Sequence, residues 1–112
     1  GERIHVGRLA SGSFDNKIKI WDLATRACVT TLEGHEDAVA SLAVLVGGRL
    51  ASGSYAATIK IWDLATGACV ATLKGHKDYV RSLAALEDGR LASVSDDSTI
   101  KIWDWALSDI VR

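Results

Sequence analysis

The sequence predicts an all-β fold in which one antiparallel four-stranded unit is used three times. Two observations carry this. KIKIWDL at residues 17–23 returns as TIKIWDL at 58–64 and TIKIWDW at 99–105, so Trp21-Asp22, Trp62-Asp63 and Trp103-Asp104 recur every 41 residues. Within each copy, apolar and β-branched residues alternate with polar ones at a period of two, between short runs of turn-forming residues. A strict repeat of this length marks units that bury their faces against one another rather than around one cleft.

The middle unit shows each element in order. Arg49-Leu50-Ala51-Ser52-Gly53-Ser54 reads as a strand, and Tyr55-Ala56-Ala57 as a polar connection. Thr58-Ile59-Lys60-Ile61-Trp62 is a strand of β-branched and aromatic residues. Asp63-Leu64-Ala65-Thr66-Gly67 is a turn, and Ala68-Cys69-Val70-Ala71-Thr72-Leu73 is the next strand. Gly75-His76 makes the following turn, and Tyr79 to Leu86 is the last strand, ending at Glu87-Asp88-Gly89. That last run, like its counterpart Asp37 to Leu45, would also suit a short buried helix, since periodicity alone does not separate the two. Its short length, flanking glycines and neighbouring hairpins assign it to a strand.

Composition narrows the class. The 112 residues are 48% apolar and 24% charged, enough to bury a core and unlike a disordered chain. The 13 basic and 14 acidic residues are mixed along the chain, leaving no basic stripe for nucleic acid or an anionic membrane. No apolar run approaches the roughly 18–20 residues of a membrane span, and the first residues lack a signal-peptide core. Cys28 and Cys69 stand 41 residues apart, at equivalent positions of successive units. That is too far for the roughly 4.4–6.8 Å Cα separation of a disulfide, and two cysteines do not complete a zinc site. They are expected to be small buried side chains on strands, which fits a reducing, intracellular, cytoplasmic setting.

A Gly-His pair, an apolar strand, a Gly-Arg-Leu-Ala-Ser strand, an Asp-containing turn and a closing Trp-Asp together resemble the WD-repeat family of β-propellers. The resemblance covers essentially the whole chain. It implies a single domain, 1–112, of three four-stranded antiparallel blades arranged radially, at about residues 2–32, 38–73 and 79–112. Three full periods would take 123 residues against the 112 present, and the piece lacking corresponds to Thr31–Ser41. Three blades form an incomplete ring unless they oligomerise, because closed propellers use roughly four to eight.

The resemblance also implies a hydrogen-bonded structural tetrad of His, Ser, Asp and Trp. Carried over by position, the third blade has His76, Ser93, Asp97 and Trp103. The second has His35, Ser52 and Trp62, with Ala56 where the Asp belongs. The first has Ser11, Asp15 and Trp21, its His falling in the lacking piece. Blades one and two are therefore expected to be softer than blade three.

Other chemistry is poorly supported by the residues. His76, Ser93 and Asp97 have the composition of a hydrolytic triad, but Ser93 lies mid-strand and no Gly-x-Ser-x-Gly elbow accompanies it. His35-x-Asp37 and His76-x-Asp78 supply two metal ligands each, short of a coordination shell. Gly47-Gly48 and Asp88-Gly89 match no phosphate-binding fingerprint and read as hairpin turns. No catalytic residue, cofactor or metal is expected.

The repeats diverge at two places. From Ala10 to His35 against Ala51 to His76, 19 of 26 positions agree, so the differences are concentrated: Phe14-Asp15-Asn16, Tyr55-Ala56-Ala57 and Asp96-Asp97-Ser98 in one turn. The start of the inner strand differs too, with Ala38-Val39-Ala40 against Tyr79-Val80-Arg81. In the WD-repeat family both places lie on one rim and commonly meet partners. Phe14, Tyr55, Tyr79, Arg81 and Asp96 are therefore candidate contacts, aromatic and Arg residues being those that dominate interfaces; drift after duplication is the competing explanation.

The expected function is a non-catalytic protein-interaction scaffold that binds proteins or peptides. It would close its ring head to tail as a homo-oligomer, with a dimer favoured over a trimer. Uncovered, its end blades would expose more apolar surface than the few hundred Å2 usual for a monomer. The alternative is a truncated or engineered propeller fragment with an assembly role and no native ligand.

Overall fold

The computed structural model describes residues 2–5 and 7–104, and every regular element in that range is a strand. β1 (Glu2–His5), β2 (Arg8–Gly12), β3 (Ile18–Asp22) and β4 (Cys28–Leu32) form one antiparallel sheet in chain order. β5 (Val39–Leu45), β6 (Arg49–Ser54), β7 (Thr58–Asp63) and β8 (Cys69–Lys74) form the second. β9 (Val80–Ala85), β10 (Leu91–Ser95) and β11 (Ile100–Trp103) form the third. The fourth strand expected in the last blade lies outside the described residues. The apolar stretch that would also have suited a helix is strand β5, locked to β6 from Val39↔Ser54 to Leu45↔Arg49.

The sheets fan out from their first strands. β5 lies against β1 and β2, and β9 against β5 and β6, while β4 and β8 run along the outside. Each seam between blades is a core. Ala10, Ile18, Ile20 and Leu32 of blade one meet Val39, Leu50 and Trp62 of blade two. Ala43, Leu45, Ala51, Ile59 and Ile61 of blade two meet Val80 and Leu91 of blade three. A strand with alternating side chains thus serves two seams, one with each face.

Close approach at the seams depends on glycine. A Cβ on Gly12 would stand 2.8 Å from Val39 Cγ1, and one on Gly53 would stand 2.6 Å from Val80 Cγ1. The equivalent residue of blade three is Val94, on a face with no described neighbour. Backbone bonds reinforce the first seam, where Val39 N–H donates to Ser13 O at 3.0 Å, and the Ser41 hydroxyl donates to Val80 O at 3.3 Å across the second.

Equivalent residues consequently differ in exposure. Ile59 and Ile61 are 0% exposed, whereas Ile100 and Ile102 in the same motif are 71% and 53% exposed. Cys28 and Cys69 correct an expectation: both are exposed free thiols rather than buried side chains. They begin the outermost strands β4 and β8, where the pairing with β3 and β7 slips by one residue and no further strand among the described residues covers them.

Candidate functional site

Two constellations carry the residues singled out by sequence. The first runs through each blade from the Trp to the turn. In blade three Trp103 Nε1–H donates to Ser93 Oγ at 2.7 Å, and Ser93 Oγ lies 2.6 Å from His76 Nε2. His76 Nδ1 lies 2.9 Å from Asp97 Oδ2. Asp97 also accepts the Lys77 and Thr99 backbone N–H groups at 2.9 Å each, and the Thr99 hydroxyl. That hydroxyl, with the Lys77 N–H and His76, holds the Asp97 carboxyl well below the usual carboxylate range. Since the carboxylate only accepts, Nδ1 carries the ring proton and Nε2 accepts from Ser93.

Blade two repeats the inner half of this chain. Trp62 Nε1–H donates to Ser52 Oγ at 2.8 Å, and Ser52 Oγ lies 2.5 Å from His35 Nε2. With Ala at 56, His35 Nδ1 is buried and has no hydrogen-bond partner within the described chain. Burial, with the Lys60 charge adding to it, pushes the His35 pKa down to about 4, so the ring is neutral. In blade one, among the described residues, Trp21 Nε1–H donates to Ser11 Oγ at 2.9 Å, and Asp15 Oδ1 accepts the Lys17 N–H at 3.3 Å.

Serines one turn along were not singled out, although Ser13, Ser54 and Ser95 recur at the same 41-residue spacing. Ser54 Oγ donates to Asp37 O and accepts the Ala56 N–H; Ser95 Oγ does the same with Asp78 O and Asp97 N–H. Asp37 and Asp78 each accept the next backbone N–H, at 2.7 and 2.8 Å. Among the described residues no group of three His, Cys, Asp or Glu side chains is arranged to hold a metal. Ser93 has the partners of a nucleophile but is fully buried, and its oxygen is already engaged by the Trp103 N–H. A substrate carbonyl has no path to it.

The second constellation lies on the rim. The Tyr55 and Tyr79 rings stack, with centroids 4.3 Å apart and planes 17° from parallel. Phe14 stands 6.1 Å from Tyr55 and is 82% exposed. One aromatic from each blade thus forms a row that crosses both seams. Arg81 Nε donates to Asp96 Oδ1 beside the Tyr79 end, so two residues noted separately in the sequence form one ion pair.

Antiparallel sheets of four, four and three described strands, fanned about their first strands and each tied by a Trp–Ser link, define a propeller-type repeat protein. The WD domain, G-beta repeat family matches residues 4–22, 26–63 and 67–104, and the chain belongs to this family. It is 51% identical over 39 residues to a Lissencephaly-1 homolog of Trichoplax adhaerens, covering 35% of this chain and 10% of that protein. A Lissencephaly-1 homolog of Heterostelium pallidum is also 51% identical, over 37 residues, covering 33% of this chain and 9% of that protein. The matched segment of the chain therefore spans about a tenth of the length of these relatives. The crystal structure of the WD40 beta propeller domain of Doa1 superposes with a TM-score of 0.87 at 29% identity, over 95% of this chain and 36% of that one. WD40 propellers generally act as scaffolds that bind other proteins. No helix among the described residues is long and apolar enough to cross a membrane.

Proposed function

We propose that this chain is a non-catalytic interaction scaffold whose aromatic rim row contacts a partner protein or peptide. The observation that carries the reading is the continuity of Phe14, Tyr55 and Tyr79 across three blades, capped by the Arg81–Asp96 pair. Solvent-facing aromatics cost little entropy to order and supply large contact area, which suits them to anchor a partner. The residues around the buried Ser93 act in strand-to-turn linkage rather than hydrolysis. Phe14→Ala with Tyr79→Ala tests the reading: proteins retained by the immobilised wild-type chain are lost while the unfolding midpoint is held. An unchanged set of retained proteins overturns it.

The same reading has the chain cover its two open faces by head-to-tail self-association, as a dimer. Its support is the bare trailing face of Val94, Ile100 and Ile102 on blade three and the half-buried Leu9 and Trp21 on the leading face of blade one. In blade two the equivalents of both faces are buried, Leu50 and Trp62 on one side and Ile59 and Ile61 on the other. Native mass spectrometry should give twice the 11.9 kDa chain mass, and Ile100→Lys should return it to the single mass. A stably folded monomer overturns ring closure and leaves the rim reading intact.

A further inference from the structure

The seam between blades one and two closes at the rim end, where Val39 meets Gly12, and stays open at the other. Ile20 and Leu32 are buried in it, but Ile4, Val44 and Leu64 at its margin are only partly buried. These five, with Leu45, wall a hollow of about 400 Å3. That volume falls in the roughly 300–1,000 Å3 range of small-molecule sites. The Gly47–Gly48 turn also borders the hollow, and a Cβ on either glycine would meet no atom within 4 Å. Arg8 begins β2 and Phe14 follows its end, so the hollow lies at the opposite end of the blades from the aromatic row.

The charge beside these apolar walls is unbalanced. Among the described lining residues Arg8 is the only base and Asp63 the only acid. Arg8 is half-buried, and its guanidinium has no hydrogen bond or ion pair among the described residues. Asp22, its partner in register, instead turns Oδ1 to the Ala24 and Thr25 N–H groups at 2.8 and 3.2 Å. Asp63 is occupied: Oδ1 takes the Ala65 N–H at 2.9 Å, and its strand position lies directly opposite Arg49. A guanidinium is a planar fork of donors that matches a carboxylate, and the pairing is stronger where water is partly excluded.

The second seam lacks this arrangement. Arg49 stands there for Arg8 and has a partner. Asp88 stands for Gly47 and brings a carboxylate, paired with Arg90, to the same turn. An anion at that position would meet like charge, whereas Gly47 presents none.

We propose that the hollow between blades one and two binds a small carboxylic acid with an apolar body, such as a medium-chain fatty acid. Its carboxylate would pair with the Arg8 guanidinium, and its chain would lie against Ile4, Ile20, Leu32 and Val44. The ligand uses nothing of the rim and needs no partner protein, so the site stands or falls separately from the scaffold reading.

The test titrates the full chain with sodium octanoate, below its micelle concentration, and follows isoleucine, leucine and valine methyl resonances. The expected result is saturable shifts at Ile4, Ile20, Leu32 and Val44, with Ile100 and Ile102 on the exposed face of blade three unmoved. From butyrate to octanoate each added methylene should tighten binding about three- to four-fold, the factor for burying one CH2. Arg8→Gln keeps much of the apolar stem and should weaken octanoate several-fold while leaving octanol unchanged. Thr30, exposed on the outermost strand β4, lines the hollow, and Thr30→Phe should block both ligands. Octanol binding as tightly as octanoate, with Arg8→Gln silent, would identify a plain apolar pocket and overturn the carboxylate site. Shifts as large at Ile100 and Ile102, none at Ile4 and Ile20, or binding that survives Thr30→Phe overturn it as well.

Discussion

Blades two and three differ in opposite ways, although both are built on IKIW strands. Blade two is covered on both faces but has an incomplete His network; blade three has the full network and one bare face. Ile61 and Ile102 have identical neighbours in sequence, yet one is fully buried and the other is 53% exposed. Burial here is a property of the seam and not of the blade, as expected where each unit contacts only its neighbours. The His network is the reverse case, since a single side chain within the blade decides whether it closes.

The largest contrast should come from trimming the isoleucines. Ile61→Ala should cost about 2–5 kcal/mol of unfolding free energy in urea, the range for deleting a buried aliphatic side chain. Ile102→Ala should cost under about 0.5 kcal/mol in the monomer, the usual effect of a surface change. An Ile102 variant as damaging as the Ile61 one would show that the trailing face is covered in solution.

Next comes the seam glycine. Gly53→Val drives a side chain into Val80 and should cost about 1–3 kcal/mol by overpacking. Val94→Gly, at the equivalent position, relieves no contact and should lose only several tenths of a kcal/mol, from added freedom in the unfolded chain. Equal effects at 53 and 94 would contradict the seam geometry.

The network contrast can be inverted. Asp97→Ala should lower the thermal midpoint by leaving His76 as His35 now is, and Ala56→Asp should raise it. Scanning calorimetry on the single and double variants shows whether the two blades exchange behaviour.

Acid gives the most gradual separation. His35 is held to a pKa of about 4 in the folded chain against an ordinary 6.5, so the unfolded chain binds the proton first. Stability should therefore fall as pH drops from about 6.5 to about 4, by at most roughly 1.4 kcal/mol per unit. The depressed Asp97 carboxyl works in a lower window. Its contribution is present above the ordinary carboxylate range and fades only as pH falls below it. Ala56→Asp should flatten the upper window, measured by urea midpoints against pH.

Much of this was legible because the repeat is strict. Alternation and the repeated hairpin turns marked the strands. The resemblance to WD-repeat proteins implied the tetrad His76, Ser93, Asp97 and Trp103, each member of which lies within bonding distance of the next along Trp103–Ser93–His76–Asp97. Contacts between blades were less legible. Phe14 and Tyr55 occupy equivalent turn positions, but Tyr79 begins the inner strand of the next blade, and only the stacking of blades brings its ring to 4.3 Å from Tyr55. Cys28 and Cys69 misled because burial was read from residue type. Nothing in CVTTL or CVATLK says that these strands are the outermost of their sheets.

The seam glycines also bear on how such an array could grow. A gene duplication that appended another copy of blade two behind blade three would present its Val39 to Val94, where the two existing seams each offer glycine. The new unit would translate in frame and fold its own hairpins, yet fail to seat. Blade order is thus encoded in the presence or absence of one Cβ per unit, and a compatible successor would have to carry a smaller residue at the Val39 position or arrive together with a mutation of codon 94.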